Sequence, residues 1–300
     1  MPDFLKFLPK PLARFGYVSL LAFGLSGLSA QQSQAFETPD ILVLGDSQIT
    51  FGSGPSFLSF FENLKQNCAK TEQDKDVLTQ LGQRVAVIGV RSTSLGTWAR
   101  RTKGGKGPIC DVDPKWKVNA GSYGTVNRTK NIYVQIGQGK NYQFCKPGQS
   151  AFETMFRKDY YNPKLLVMTF LGNSSQTWAD DPAAALSDVK AATEQLPPGM
   201  PCIFMTTAPT YQKSVVDMRH RAQANLKRAF DKTGNRCSFV EGYTPQTIKA
   251  NLGVKSHFRR KKNGSVKDPF HPNKAAAKQF FSIQKQQICN AILHELRGLD

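Results

Sequence analysis

Three short stretches of this 300-residue chain carry side chains whose types and spacing could act together on an ester. Ser47 ends "ILVLGDS", where an apolar strand hands over to a helix. A plain turn there would call for Gly45, but not for that serine. A serine hydroxyl is inert without a base to take its proton and donors to hold the oxyanion it creates. His271, in "KDPFHPN", can supply the base. Asp268 precedes it by three residues and prolines stiffen both sides, so the carboxylate can reach the imidazole and fix its tautomer. Asn173, in "FLGNSS", sets an amide donor at the end of another apolar run. Alone, Asp-x-x-His is a weak motif and Asn173 reads as a turn residue. His220 and His294 fall in charged helical stretches and His257 in the basic run "KSHFRRKK", where all three read as solvated.

Such residues need a frame to bring them together. Apolar runs predict strands at 41–45, 84–90, 165–173, 201–209 and 236–242. Amphipathic stretches predict helices at 56–67, 182–196, 214–232, 244–251 and 274–297. Continuous apolar strands spaced by helices imply an α/β protein whose mostly parallel sheet is covered on both faces. In such sheets chemistry gathers at the carboxyl ends of the strands, which is where Ser47 and Asn173 fall. Residues 100–150 break the rhythm. They are rich in Gly, Lys and Asn, with an alternating "NIYVQI", and read as a small β-rich insertion with Cys110 and Cys145 near its ends.

Gly45-Asp46-Ser47 near the start, Gly172-Asn173 in the middle and Asp268-Pro-Phe-His271 near the end resemble the SGNH hydrolase (GDSL-type lipase/esterase) family in order and position. The resemblance spans about residues 40–295. It implies a three-layer α/β/α fold with a five-stranded, flavodoxin-like sheet. In the roles it implies, Ser47 is the nucleophile, His271 the base and Asp268 the orienting acid. The Ser47 N–H and the Asn173 side chain belong to the oxyanion hole, and Asp46 is part of the motif without being the triad acid. One block departs from the family pattern. Where a glycine N–H usually completes the hole, the text is "GVRSTSLGTW", which puts Ser92 at that place and leaves Gly96 as the alternative. The departure marks a divergent branch. The fold so implied would also pair Cys110 with Cys145, Cys202 with Cys237 and Cys68 with Cys289. No metal or cofactor is called for.

The first 35 residues read as a secretory signal peptide: Lys6, Lys10 and Arg14 precede a short apolar run and a small, polar tail, with cleavage after Ala35 or Ala30. That predicts an exported protein, periplasmic or secreted, with no transmembrane anchor after processing, and in that setting six cysteines suggest disulfides. The net charge of +18 is unevenly spread: residues 100–146 carry +8 and residues 255–267 carry +6. The second segment leads directly into Asp268, so positive charge at the site would draw in an anionic partner. An acylated acidic polysaccharide or a cell-wall glycan fits, with Arg259, Arg260 and Trp98 as substrate contacts and Trp116, Tyr123, Tyr133 and Tyr142 as further sugar-stacking rings. Export leaves nucleic acid unexpected despite the charge. The reaction expected is ester hydrolysis. The same triad would make a polysaccharide O-acetyltransferase if a sugar hydroxyl replaced water, and a glycan-binding protein with a vestigial triad is the non-enzymatic alternative.

Overall fold

The computed structural model describes residues 39–101, 120–124, 149–156 and 162–298. The expected signal peptide, most of the insertion, the Cys110–Cys145 pair and the side chains of Trp116, Tyr123, Tyr133 and Tyr142 lie outside the described residues.

The main sheet has six strands: β1 (Ile41–Gly45), β2 (Val85–Val90), β3 (Ala120–Gly124), β4 (Leu165–Thr169), β5 (Cys202–Met205) and β6 (Ser238–Val240). Their order is β3-β2-β1-β4-β5-β6. Five run parallel, and β3 is added antiparallel to the edge at β2. The segment expected as a β insertion thus contributes one strand to the main sheet. In β1 every residue is buried, because alternate side chains enter two separate cores. Leu42 and Leu44 join Trp98, Phe152, Trp178, Phe204 and Phe230 on one face. Ile41 and Val43 join Phe57, Phe61, Phe280 and Ile292 on the other. Full burial of such a side chain stabilises by about 1.5–3 kcal/mol, which is why an all-apolar strand settles at the centre of the sheet.

The first face is covered by α4 (Leu95–Ala99), α5 (Ala151–Phe156), α6 (Ser175–Asp180), α7 (Pro182–Thr193) and α8 (Lys213–Lys232). The second carries α1 (Gly54–Glu62), α2 (Leu64–Cys68), α3 (Glu72–Leu81) and α10 (Lys274–Arg297). A short helix, α9 (Pro245–Asn251), follows β6. The sequence reading passes over α3, whose surface is highly charged; a reciprocal Thr71/Asp74 capping box fixes its start. Among the described residues, two disulfides each fasten one layer. Cys68–Cys289 links the end of α2 to α10, and Cys202–Cys237 joins the starts of the neighbouring strands β5 and β6. Among the described residues no helix is long and apolar enough to cross a membrane.

At the amino end of β1, Asp40 pins three strands. Its backbone pairs with Arg84 before β2 and with Lys164 and Leu165 at β4. Its carboxylate accepts from the Arg84 N–H, Nε and Nη2 at 2.9–3.1 Å. Burial pushes this carboxyl up, but the Arg84 hydrogen bonds and the Arg84 and Lys164 charges outweigh it and hold the pKa below its ordinary value. A carboxyl depressed in the folded state stabilises fully above its unfolded pKa, and that contribution is lost as pH falls through the folded value. Asp40→Asn should therefore cost about 1–2 kcal/mol at neutral pH. Urea midpoints should show the gap between variant and wild type closing as pH falls below the ordinary carboxylate range; a gap independent of pH would contradict the ion-pair account.

Candidate active site

The strand ends are level, since Gly45 pairs with Gly89 of β2 and Thr169 of β4. Beyond Gly45 the chain turns sharply through Asp46, Ser47 and Gln48 into a wide helical turn, Ile49–Ser53. Here the glycine is required by space. A Cβ on Gly45 would stand 2.6 Å from the Thr169 carbonyl oxygen and 2.7 Å from Ile49 Cδ1. Gly89 is held to the same rule, with Ile49 Cβ 2.5 Å from any Cβ added there. Two glycines thus let Ile49 fold down over the strand ends and carry Ser47 across the top of β1.

The other half of the site comes from outside the main sheet. The basic run forms a two-stranded antiparallel ribbon, β7 (Phe258–Arg260) and β8 (Val266–Pro272), turning at Gly264 with φ of 80°. Strand β8 carries both Asp268 and His271. Two hydrogen bonds dock the ribbon, Gln48 Nε2 to Phe270 O and Tyr211 N to Pro269 O, while Asn273 N to His257 O closes its base. Buried Phe258 packs edge-on against Tyr211.

Docking closes a continuous chain. Asp268 Oδ2 lies 2.8 Å from His271 Nδ1, and His271 Nε2 lies 2.9 Å from Ser47 Oγ. The second carboxylate oxygen of Asp268 accepts the backbone N–H groups of Phe270 and His271. A carboxylate on Nδ1 requires the proton there, which leaves Nε2 as an acceptor for the serine hydroxyl.

Asn173 is oriented by giving one Nδ2 hydrogen to the Thr93 carbonyl at 2.7 Å, leaving its second N–H for another acceptor. Thr93 is fixed in turn, since its hydroxyl donates to Val90 O and accepts from Trp98 Nε1. Immediately before it, Ser92 takes a left-handed backbone, φ 63°. Glycine adopts that conformation without strain, whereas a serine there is uncommon.

Two expected site residues lie elsewhere. Trp98 is fully buried between Phe152 and Phe170, so it belongs to the core and cannot stack on a sugar. Gly96 lies in α4 against α7, where a Cβ would be 2.7 Å from Asp188 Oδ1; close helix packing accounts for it, and Ser92 is the residue left at the end of β2. Arg259 and Arg260 are exposed on the ribbon, with Arg259 opposite Asp268. His220 and His294 are exposed on α8 and α10, and His257 contacts Asn251.

Sequence reasoning missed the part played by Asp46. Its fully buried carboxylate accepts the N–H of Gln48 at 2.8 Å and of Gly172 at 3.0 Å, with the Leu171 N–H also directed at it. Burial pushes this carboxyl above its ordinary range, while the three N–H groups and the charge of buried Arg219 on α8 work against the shift. The available signal was the run of polar residues, Arg219, Gln223 and Asn225, on the inward face of α8.

A mostly parallel α/β sheet with a serine–histidine–aspartate chain at its carboxyl edge defines the class of site. No protein-family model matches the sequence, and no curated protein matches it. Among solved structures the chain is similar to a family two carbohydrate esterase from Clostridium thermocellum, with a TM-score of 0.40 and 12% identity, over 84% of this chain and 64% of that one. It is also similar to a DUF4886 family protein from Bacteroides uniformis, with a TM-score of 0.40 and 10% identity, over 86% and 84% of the two chains. A peptidoglycan O-acetylesterase aligns with a TM-score of 0.38 and 10% identity, over 87% and 92%. Likeness at this distance assigns no activity.

Asp46→Ala should strand the N–H groups of Gln48 and Gly172 in a dry setting, costing about 3 kcal/mol or more. Any esterase activity should fall at least tenfold at temperatures where circular dichroism still reports a folded protein. Full activity in a folded Asp46→Ala protein would show that the carboxylate does not position the site.

Proposed function

We propose that the protein is an exported serine esterase that removes a short acyl group, such as an O-acetyl, from an acylated and acidic envelope or extracellular glycan. The observation that carries this reading is the unbroken Asp268–His271–Ser47 hydrogen-bond chain, built from two separate elements. His271 Nε2 takes the Ser47 proton as Oγ attacks the ester carbonyl carbon, and Asp268 stabilises the imidazolium that forms. The carbonyl oxygen becomes an oxyanion, held by the Ser47 N–H, the second Asn173 N–H and the Ser92 N–H. On collapse the sugar oxygen leaves with the proton from His271, and Ser47 keeps the acyl group. Water, deprotonated by His271, then attacks the acyl-enzyme, releasing the carboxylic acid and restoring the serine.

Ser47 is only 6% exposed, which favours a small acyl group over a long chain. The cationic ribbon that carries the base supports an anionic polymer, whose approach it would speed. Two disulfides agree with an oxidising compartment.

Residues 36–300 should hydrolyse p-nitrophenyl acetate. Ser47→Ala and His271→Ala should each lower kcat/KM at least a thousandfold while remaining folded. Retention of wild-type turnover by Ser47→Ala would remove the serine from the mechanism.

A further inference from the structure

The described residues include two large hydrophobic side chains left exposed, and both flank the base. Phe51 is 38% exposed and Phe270 is 43% exposed. Phe270 directly precedes His271, and the Phe51 ring lies 4.7 Å from the imidazole, tilted by 54°. On Phe51 sits the guanidinium of Arg91, 5.1 Å from the ring centroid. Arg91 is exposed at the carboxyl end of β2, next to Ser92, and makes no ion pair among the described residues. Phe51 therefore lies beside both the base and the guanidinium, which stands no more than about 10 Å from the imidazole.

A fold that fully buries Trp98, Trp178, Tyr243 and seven phenylalanines gains nothing in stability by leaving Phe51 in water beside its reactive serine. The exposed part of the ring can pack against the apolar side of a pyranose. A guanidinium held over a ring offers a fork of donors that matches a carboxylate. Lysine could supply the charge but not that geometry.

We propose that Phe51 and Arg91 form a subsite for a sugar carboxylate, so that the preferred substrate carries its ester and a uronate-type carboxylate on the same or the adjacent sugar. This rests on the esterase reading above and names the group that the site would recognise. The contacts are then the ester carbon at Ser47, the sugar against the exposed part of Phe51 and the carboxylate on Arg91. Arg259 and Arg260 on the ribbon then supply long-range attraction, while Arg91 reads position.

The test uses residues 36–300 with chemically acetylated oligogalacturonide, acetylated xylo-oligosaccharide as its neutral counterpart, and p-nitrophenyl acetate. Wild type should prefer the acidic substrate over the neutral one by about tenfold or more in kcat/KM. Arg91→Gln should abolish that preference, Arg91→Lys should restore part of it, and Phe51→Ala should weaken both glycans relative to p-nitrophenyl acetate. The acidic preference should also shrink as salt is raised. A preference left unchanged by Arg91→Gln, or a wild type that treats both glycans alike, overturns the subsite. Calorimetric binding of the unreacted glycans to Ser47→Ala separates this proposal from the esterase reading. Tighter binding of the oligogalacturonide, lost in Ser47→Ala/Arg91→Gln, would uphold the subsite even if no ester were hydrolysed. Equal binding of both glycans would overturn it even if the esterase activity held.

Discussion

The site depends on one buried carboxylate. Asp46 follows β1, and its two oxygens collect N–H groups from the turn holding Ser47 and from the Leu171–Gly172 turn beside Asn173. A charge in so dry a place is expensive unless fully paired, so those turns cannot drift apart without exposing it. The nucleophile and the amide donor are thereby held in one frame. Gly45 and Gly89 permit the arrangement sterically, and Arg219 supports it electrically from behind.

The sheet and the ribbon play unlike parts. The parallel strands provide a rigid edge fastened at its amino end by Asp40 and Cys202–Cys237, and at its carboxyl end by Asp46. The ribbon has little core of its own, with Phe258 and Pro272 as its buried apolar anchors. It brings the base, the orienting acid and a row of cations in a single unit, so the charge that would attract an anionic polymer and the group that would activate the serine move together.

Much of this was legible in the sequence. Apolar runs that lack alternation mark strands buried on both faces, and β1, β2, β4 and β5 follow that rule, while the edge strand β6 is only partly buried. Ser47, Asn173, Asp268 and His271 were readable because each sits at a punctuated boundary of glycine, proline or asparagine. Local pattern does not report what depends on tertiary packing. Trp98 sits in a basic, loop-like context, yet a Thr93 hydroxyl satisfies its indole N–H and lets the ring enter the core. Phe51 is the converse, an apolar residue in an ordinary helical stretch that the fold leaves in solvent. The ribbon was hidden because "KSHFRRKK" has too few apolar residues to alternate, and its pairing is set by the Gly264 turn and by docking.

The separateness of the ribbon has a thermodynamic side. Its attachment rests on a few hydrogen bonds and two buried side chains, Phe258 and Pro272, whereas the main sheet is sealed on both faces and cross-linked. Lifting the ribbon would uncover little apolar surface. A lifted ribbon would leave the architecture whole and the serine without a base: a native fold that is chemically silent.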